Sequence, residues 1–312
     1  DAHVLSDGFG DNAKQQLREL IRQNYNHPSV IVWGLSNELH QMTDEIFGLY
    51  SELYEIACKE DDTRLKTFAD NQFYGRFLEL PADVVGYNRY FGWYKEAGSA
   101  ENFGEWLDLY HNEKEKRPVC LSEYGGGGAI SQHKDNVDWE SDIDPVGVRH
   151  YENYQSQLHE ILWKQFSVRK YLWAEFIWCM FDFASYGRTE GDTKSLNDKG
   201  LCTRERIPKD VYFFYRSVWS SEKTVYITER RHEFRACDVP FVKVYSNADA
   251  VELCINDVSH GRISRCELPN DESTVFVWEN IKIKPDTKNK ICAKAYFSDR
   301  TSRTDYAFWT GK

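Results

Sequence analysis

Two glutamates stand where chemistry could be done, because each directly follows a short apolar run rich in β-branched residues: Asn37-Glu38 after residues 30–36, and Glu123 after 119–122. Runs of this kind, without polar alternation, read as strands buried on both faces. In a parallel αβ fold the C-terminal strand ends form one face, where the active site lies, so two carboxyls far apart in sequence can converge there. Glycoside cleavage needs such a pair, one protonated to assist the leaving oxygen and one ionised to attack the anomeric carbon or to activate water. Unequal surroundings let one fold hold both protonation states at one pH. Taken singly, each glutamate has a plainer reading as a helix-start charge or a solvated loop residue.

Aromatic groups suited to a sugar accompany the pair. Trp178 closes the run Phe176-Ile177-Trp178, and an indole face stacks on the C–H face of a pyranose; Tyr90 and Trp93 follow the run 83–87. Aromatics at strand ends also serve as core or rim packing. Glycines 125–128 lack the Lys-Ser/Thr of a phosphate loop and the Gly-x-Gly-x-x-Gly spacing, which argues against a nucleotide site. They are expected instead to let the backbone pass close to a substrate beside Glu123. No Cys-x-x-Cys pair and no close helical His spacing occurs, so neither a metal nor a cofactor is expected. Cys120, Cys179, Cys254 and Cys292 sit in apolar runs and read as free, buried thiols.

The elements that must position these residues alternate along the chain. Ala13, Leu17, Leu20 and Ile21 recur at helical spacing, with Asp11 as the expected N-cap and Pro28 past the far end. Strand expectations at 29–36, 65–69, 83–87, 118–122 and 172–178 interleave with helices at 43–59, 102–115, 148–166 and 209–219. This repetition predicts a parallel sheet with crossovers, either an open doubly wound sheet or an αβ barrel. From residue 220 the pattern changes to short alternating runs at 241–245, 251–255, 274–278 and 291–297, with turn signals at Asn256-Asp257 and Pro285-Asp286. An antiparallel β-sandwich is expected there, packed directly on the first domain, with the boundary between 1–219 and 220–312.

Bulk properties exclude some partners. The 312 residues carry 50 acidic and 39 basic side chains, a net charge of −11, which repels nucleic-acid backbones and anionic membranes. The longest apolar stretch, 171–181, is too short to span a bilayer and contains Glu175. The chain starts at Asp1 without a charged and apolar leader, so any targeting signal is expected to have been removed or to lie outside this piece. Location is not legible beyond a soluble protein, periplasmic or cytoplasmic if bacterial.

Three ordered segments carry a resemblance. Asn26-His-Pro-Ser-Val-Ile-Val-Trp-Gly-Leu-Ser-Asn-Glu38 resembles the acid/base signature of glycoside hydrolase family 2, Leu121-Ser-Glu-Tyr-Gly125 its nucleophile segment, and Asn88-Arg-Tyr-Phe-Gly-Trp-Tyr94 the stretch between them. Phe181-Asp-Phe-Ala, Gly191-Asp-Thr, Asn197-Asp-Lys-Gly-Leu201 and the segment 244–253 are similar to β-galactosidase-type members. The resemblance implies an α/β chain: the C-terminal portion of a (β/α)8 TIM barrel, five of eight strand units, followed by an immunoglobulin-like sandwich. It implies a retaining exo-β-glycosidase with Glu38 as acid/base, Glu123 as nucleophile, Asn37 on the sugar 2-hydroxyl, Tyr90 on the nucleophile and Trp178 as the floor of the sugar subsite. Asn197 and Lys199 resemble the pair that binds a uronate carboxylate in the β-glucuronidase branch, while the longer matches around them favour a terminal β-galactoside. A carbohydrate substrate is the expected partner, together with a second copy or the barrel strands not in this chain. A fragment that binds carbohydrate without turning it over is the competing expectation.

Overall fold

Five short strands pair in parallel and in sequence order: β1 (Val32–Asn37), β2 (Leu65–Asp70), β3 (Val85–Asn88), β4 (Val119–Tyr124) and β5 (Leu172–Ile177). A doubly wound sheet reverses its strand order at a switch point, whereas a barrel wall runs on in order, so the arrangement is that of a TIM-barrel portion. The computed structural model describes residues 6–72, 74–269 and 274–312. It resolves into two compact units, one of Asp1–Tyr90, Asn102–Tyr124 and Arg169–Ile177, the other of Phe91–Glu101, Gly125–Val168 and Trp178–Lys312.

The first unit holds the parallel sheet and the helices α1 (Phe9–Asn24), α2 (Asp44–Glu60) and α3 (Phe103–Glu113). Helix α1 begins earlier than its apolar spacing predicts: Gly8, at φ 78°, precedes it, and Asp11 lies in the first turn rather than at the cap. There its charge still complements the helix dipole. Thr43 does cap α2, its Oγ1 accepting the Ile46 N–H at 3.3 Å. Leu17, Ile21, Trp33, Ile56 and Ala57 form a core between these helices and β1. At the edge of that core the Trp33 indole donates to Asp61 at 2.9 Å. Burial pushes the Asp61 carboxyl up, but hydrogen bonds from Thr63, Trp33 and Arg64 outweigh it and hold the group far below the usual carboxylate range. Gly86 lets β3 fit between its neighbours, since a Cβ there would lie 2.9 Å from both the Phe68 carbonyl and the Ser122 side chain.

The second unit contains the one-turn α4 (Trp139–Asp142), α5 (Glu152–Phe166), a hairpin of β6 (Phe183–Ala184) and β7 (Leu196–Asn197), α6 (Asp210–Trp219) and eight further strands. Helix α5 starts later than the apolar spacing from residue 148 suggests, and the β6–β7 hairpin was not foreseen at all. The further strands are β8 (Val225–Ile227), β9 (Phe234–Arg235), β10 (Asp238–Ser246), β11 (Ala250–Ile255), β12 (Val258–Ser264), β13 (Val275–Lys282), β14 (Lys288–Tyr296) and β15 (Ser302–Gly311). They make two sheets, β13-β10-β8 and β12-β11-β14-β15-β9. Their inward residues, among them Val242, Val244, Leu253, Phe276, Ile291 and Trp309, form one apolar core, as a sandwich requires. Asn256 and Asp257, at φ 49° and 65°, make the two-residue turn joining β11 to β12, with Ile255 opposite Val258. Positive φ at both central residues matches the right-handed twist of the flanking strands.

Among the described residues no helix is long and apolar enough to cross a membrane, and all eight cysteines are free thiols. Two substitutions rank the contributions to stability. Thr43→Ala should cost about 1 kcal/mol through the lost cap, and Phe276→Ala about 3–5 kcal/mol through the cavity left in the sandwich. Urea denaturation followed by tryptophan fluorescence measures both, and equal effects would contradict the ranking.

Candidate active site

In the first unit, strand ends gather Asn37, Glu38, Asn88, Tyr90, Ser122 and Glu123. Asn37 is the last residue of β1 and Glu38 follows it. Glu123 lies inside β4, one residue before its end, rather than after the strand as the run 119–122 suggests. Its position in the register is opposite Asn88 of β3. The Glu38 N–H donates to the Ala69 carbonyl at 2.9 Å, and Glu38 adopts φ 48°. A left-handed conformation in a residue with a Cβ costs of order 1 kcal/mol and is held only where the surroundings fix it.

Asn88, nearly fully buried, links these residues. Its Nδ2 donates to Glu38 Oε1 at 3.0 Å and to Asn37 Oδ1 at 3.1 Å, while its Oδ1 accepts the Ser122 hydroxyl at 2.7 Å. Two residues on, Tyr90 donates its phenol to Glu123 Oε2 at 2.5 Å. One short segment, 88–90, therefore touches both glutamates. The arrangement offers one carboxyl with an oxygen held as an acceptor and a second carboxyl held by a phenol, at the ends of β1 and β4, both reached from the end of β3. Sequence reasoning placed Asn37, Glu38, Tyr90 and Glu123 but gave no role to Asn88 or Ser122. The signal was present, since Asn88 opens the segment that ends at Tyr94.

The second unit holds Trp178, Asn197 and Lys199. The Asn197 Oδ1 accepts the Lys199 N–H at 3.1 Å, an Asx turn that folds the tripeptide back on itself. Lys199, only 4% exposed, has its Nζ 3.1 Å from the Tyr94 hydroxyl, and 5.8 and 5.2 Å from the ring centres of Trp93 and Tyr94. Such rings stabilise a desolvated cation. Between these two residues Asp198 takes the His150 ring at 2.7 Å. Burial raises the Asp198 carboxyl, and the His150 hydrogen bond and charge together with Lys209 and Lys199 bring it below its ordinary value. Trp178 packs edge-on to Phe183 at 5.8 Å, and its peptide bond to Cys179 is cis.

Two expectations change here. Glycines 126–128 approach protein rather than open space: a Cβ on Gly126 would lie 2.7 Å from the Trp93 ring and 2.8 Å from Leu158. Close packing within the second unit accounts for that glycine. The second change concerns charge. Asp135, Glu229 and His232 bring ligand atoms within 4.8 Å of one another, a cluster the sequence spacing did not show. Arg235 lies 2.9 Å from Glu229 and 2.5 Å from Asp135, so a guanidinium already occupies the place of a cation.

With this geometry in hand, comparison with known proteins assigns the chain. The family description "Glycosyl hydrolases family 2, TIM barrel domain" matches residues 8–224, and a domain of unknown function matches 239–301. The chain belongs to glycosyl hydrolase family 2. A β-glucuronidase of Bacteroides fragilis is 38% identical over 277 residues, which is 88% of this chain and 38% of that protein. A solved Bacteroides fragilis "putative beta-galactosidase" superposes with a TM-score of 0.87 at 30% identity, covering 97% of this chain and 44% of that one. A Bacteroides uniformis β-glucuronidase gives 0.82 at 27% identity, covering 99% and 37%. The chain thus spans less than half the length of each.

Buried charge supports the second group of residues. Lys209, wholly buried, donates to Asp182 Oδ1 and the Asp198 carbonyl at 2.8 Å each and to the Gly128 carbonyl at 2.6 Å. Burial lifts the Asp182 carboxyl to about 6, against the Lys209 charge that pulls it down. A folded-state value above the ordinary one means that Asp182 favours folding at low pH, and that this contribution fades as pH rises through about 6. Lys209→Met should cost about 3–5 kcal/mol and move the Asp182 midpoint still higher. Urea denaturation across pH and carboxyl NMR check the two effects, and an unmoved midpoint would refute the pairing.

Proposed function

We propose that the protein carrying this chain is a retaining β-glucuronidase, with Glu38 as acid/base and Glu123 as nucleophile. The Glu38 carboxyl passes its proton to the glycosidic oxygen while the Glu123 carboxylate attacks the anomeric carbon, forming a glycosyl ester as the old C–O bond breaks. Glu38, now ionised, takes a proton from water, whose oxygen attacks the same carbon and releases Glu123. Asn37 holds the 2-hydroxyl, where a hydrogen bond can strengthen in the transition state. Tyr90 orients the nucleophile, and Trp178 supplies an apolar floor.

The observation that carries the substrate assignment is Lys199. It is a cation set beside aromatic rings on a turn fixed by Asn197, and a cation pairs more strongly with a carboxylate than with a neutral hydroxyl. A uronate supplies the carboxylate and a galactose only hydroxyls. The naming of the Bacteroides fragilis and Bacteroides uniformis relatives supports the same choice, so the galactoside favoured by the longer motif matches becomes the second reading, supported by the other Bacteroides fragilis structure. The proposed division of labour puts the chemistry in 1–219 and a packing role in 220–312. No cofactor enters this reading.

Turnover of 4-nitrophenyl β-glucuronide and β-galactoside by the intact protein tests it. Glucuronide should be the better substrate, and Glu123→Gln should lower kcat by about a thousandfold or more. Lys199→Met should lower kcat/KM for the glucuronide by about a hundredfold and change the galactoside value little. Galactoside turnover that is indifferent to Lys199 would establish the second reading. Binding of either sugar without turnover would leave a carbohydrate-binding protein.

A further inference from the structure

One buried imidazole in the second unit touches two of the groups that surround Lys199. His150 has its Nδ1 2.7 Å from Asp198 Oδ2 and its Nε2 3.3 Å from the Asp144 carbonyl. Its ring meets the Trp93 indole edge-on, with the centroids 4.8 Å apart. Trp93 is one of the two rings beside the Lys199 ammonium, and Asp198 is the middle residue of the turn that Asn197 closes onto the Lys199 N–H. His150 thus reaches Lys199 by two routes, through the backbone that carries it and through a ring that it faces.

Two glycines make room for this junction. A Cβ on Gly127 would overlap Asp198 Oδ1 and lie 2.9 Å from His150 Nδ1 and 3.0 Å from the Trp93 ring. A Cβ on Gly191, at φ 74°, would lie 2.8 Å from Asp198 Oδ2 and 3.4 Å from His150 Nδ1. Any side chain at either place would push the imidazole and the carboxyl apart, and glycine lets the backbone pass this close. The backbone of His150 is fixed as well. Its N–H donates to Gln132 Oε1 at 2.9 Å, and its carbonyl accepts the Ala129 N–H at 2.8 Å.

We propose that His150 is a positioning residue for the uronate anchor, acting on Lys199 through Asp198 and Trp93. The proposal rests on the reading of Lys199 as the group that meets the substrate carboxylate. At its carbonyl, Asp198 is held by Lys209 Nζ at 2.8 Å and by the Gly128 N–H at 3.1 Å. A residue tied at one point can still pivot there. The His150 bond ties the carboxyl as a second point, so the turn that carries Lys199 is held against rotation. Hydrogen bonds to an ionised carboxylate are stronger than neutral ones, which suits this bond to the task. Both ring nitrogens of His150 are engaged with protein, so its part is to place the ammonium and not to bind the sugar.

Two arms test this, both in the intact protein. In a crystal structure of His150→Leu, Lys199 Nζ should have left its place 3.1 Å from the Tyr94 hydroxyl; an ammonium that stays there overturns the proposal. In kinetics, His150→Leu should raise KM for 4-nitrophenyl β-glucuronide and lower its kcat/KM relative to the β-galactoside by about tenfold or more. His150→Asn, whose amide can donate to Asp198 from the place of Nδ1, should recover most of that ratio. A merely structural His150 would lower both substrates by one factor. Where Lys199→Met shifts the ratio, a ratio unmoved by His150→Leu overturns the proposal. Where Lys199→Met leaves it unmoved, the uronate reading fails, and the position of Lys199 in the His150→Leu structure decides alone. Should His150→Leu not fold, Asp198→Ala breaks the same bond from the other side and is read in the same two ways.

Discussion

The side-chain amide of Asn88 is the contact on which the glutamate cluster of the first unit depends. It gives two hydrogens, to Glu38 and Asn37, and accepts one from Ser122. An amide has distinct donor and acceptor ends: the Glu38 carboxylate oxygen draws the NH2 end, and the Ser122 hydroxyl, able to donate or accept, donates to the oxygen at the other. Glu38 Oε1 is then an acceptor, and a proton on this carboxyl belongs on the other oxygen. The same bond takes up the oxygen of Asn37 and leaves its NH2 group to face elsewhere. Exchange of the two ends of Asn88 would set an oxygen against Asn37 Oδ1 and Glu38 Oε1, three acceptors together. One buried side chain thus decides the polarity of its neighbours without being an acid, a base or a nucleophile.

The backbone makes that contact available. Strands β1, β3 and β4 carry the contributors, and Gly86 permits β3 to lie close enough to its neighbours for a short asparagine to reach both sides. The positive φ of Glu38 turns its side chain at the point where Ala69 holds its N–H. Strain at this residue is offset by the pairing of β1 with β2, which continues to Asn37. Backbone hydrogen bonds over-determine the position of the acid, and the side-chain network sets its orientation.

Much of this was legible in the sequence because burial on both faces leaves a mark in composition. The five parallel strands were placed within a few residues from β-branched and apolar runs, and their order along the chain follows the helices between them. Where the reading erred, a local competitor won. Gly8 displaced Asp11 as the residue before α1, and the strand at 119–124 ran past Ser122 to take in Glu123. The hairpin of β6 and β7 is two residues per strand, too short for periodicity to register. Asn88 is given no role by the sequence because a buried polar residue in a strand looks, by type alone, like a strand-end turn signal. Only the partner across the sheet reveals what it does. The Asp135, Glu229 and His232 cluster likewise spans two distant segments, and Arg235 completes it from a third position.

The two buried lysines of the second unit show why residue type underdetermines role. Lys209 finds two carbonyls and a carboxylate, so its three hydrogens are matched and its charge has a counterion. Lys199, ten residues earlier, faces a phenol and two aromatic rings, while the carboxylate beside it in sequence, Asp198, is engaged with His150. A lysine matched by carbonyls and a carboxylate is structural cement, whereas aromatic rings attract a buried ammonium through their faces, a less directional hold. His150 matters for that contrast. Through its hydrogen bond it holds Asp198, the acid whose carboxyl the charges of Lys209 and Lys199 also stabilise.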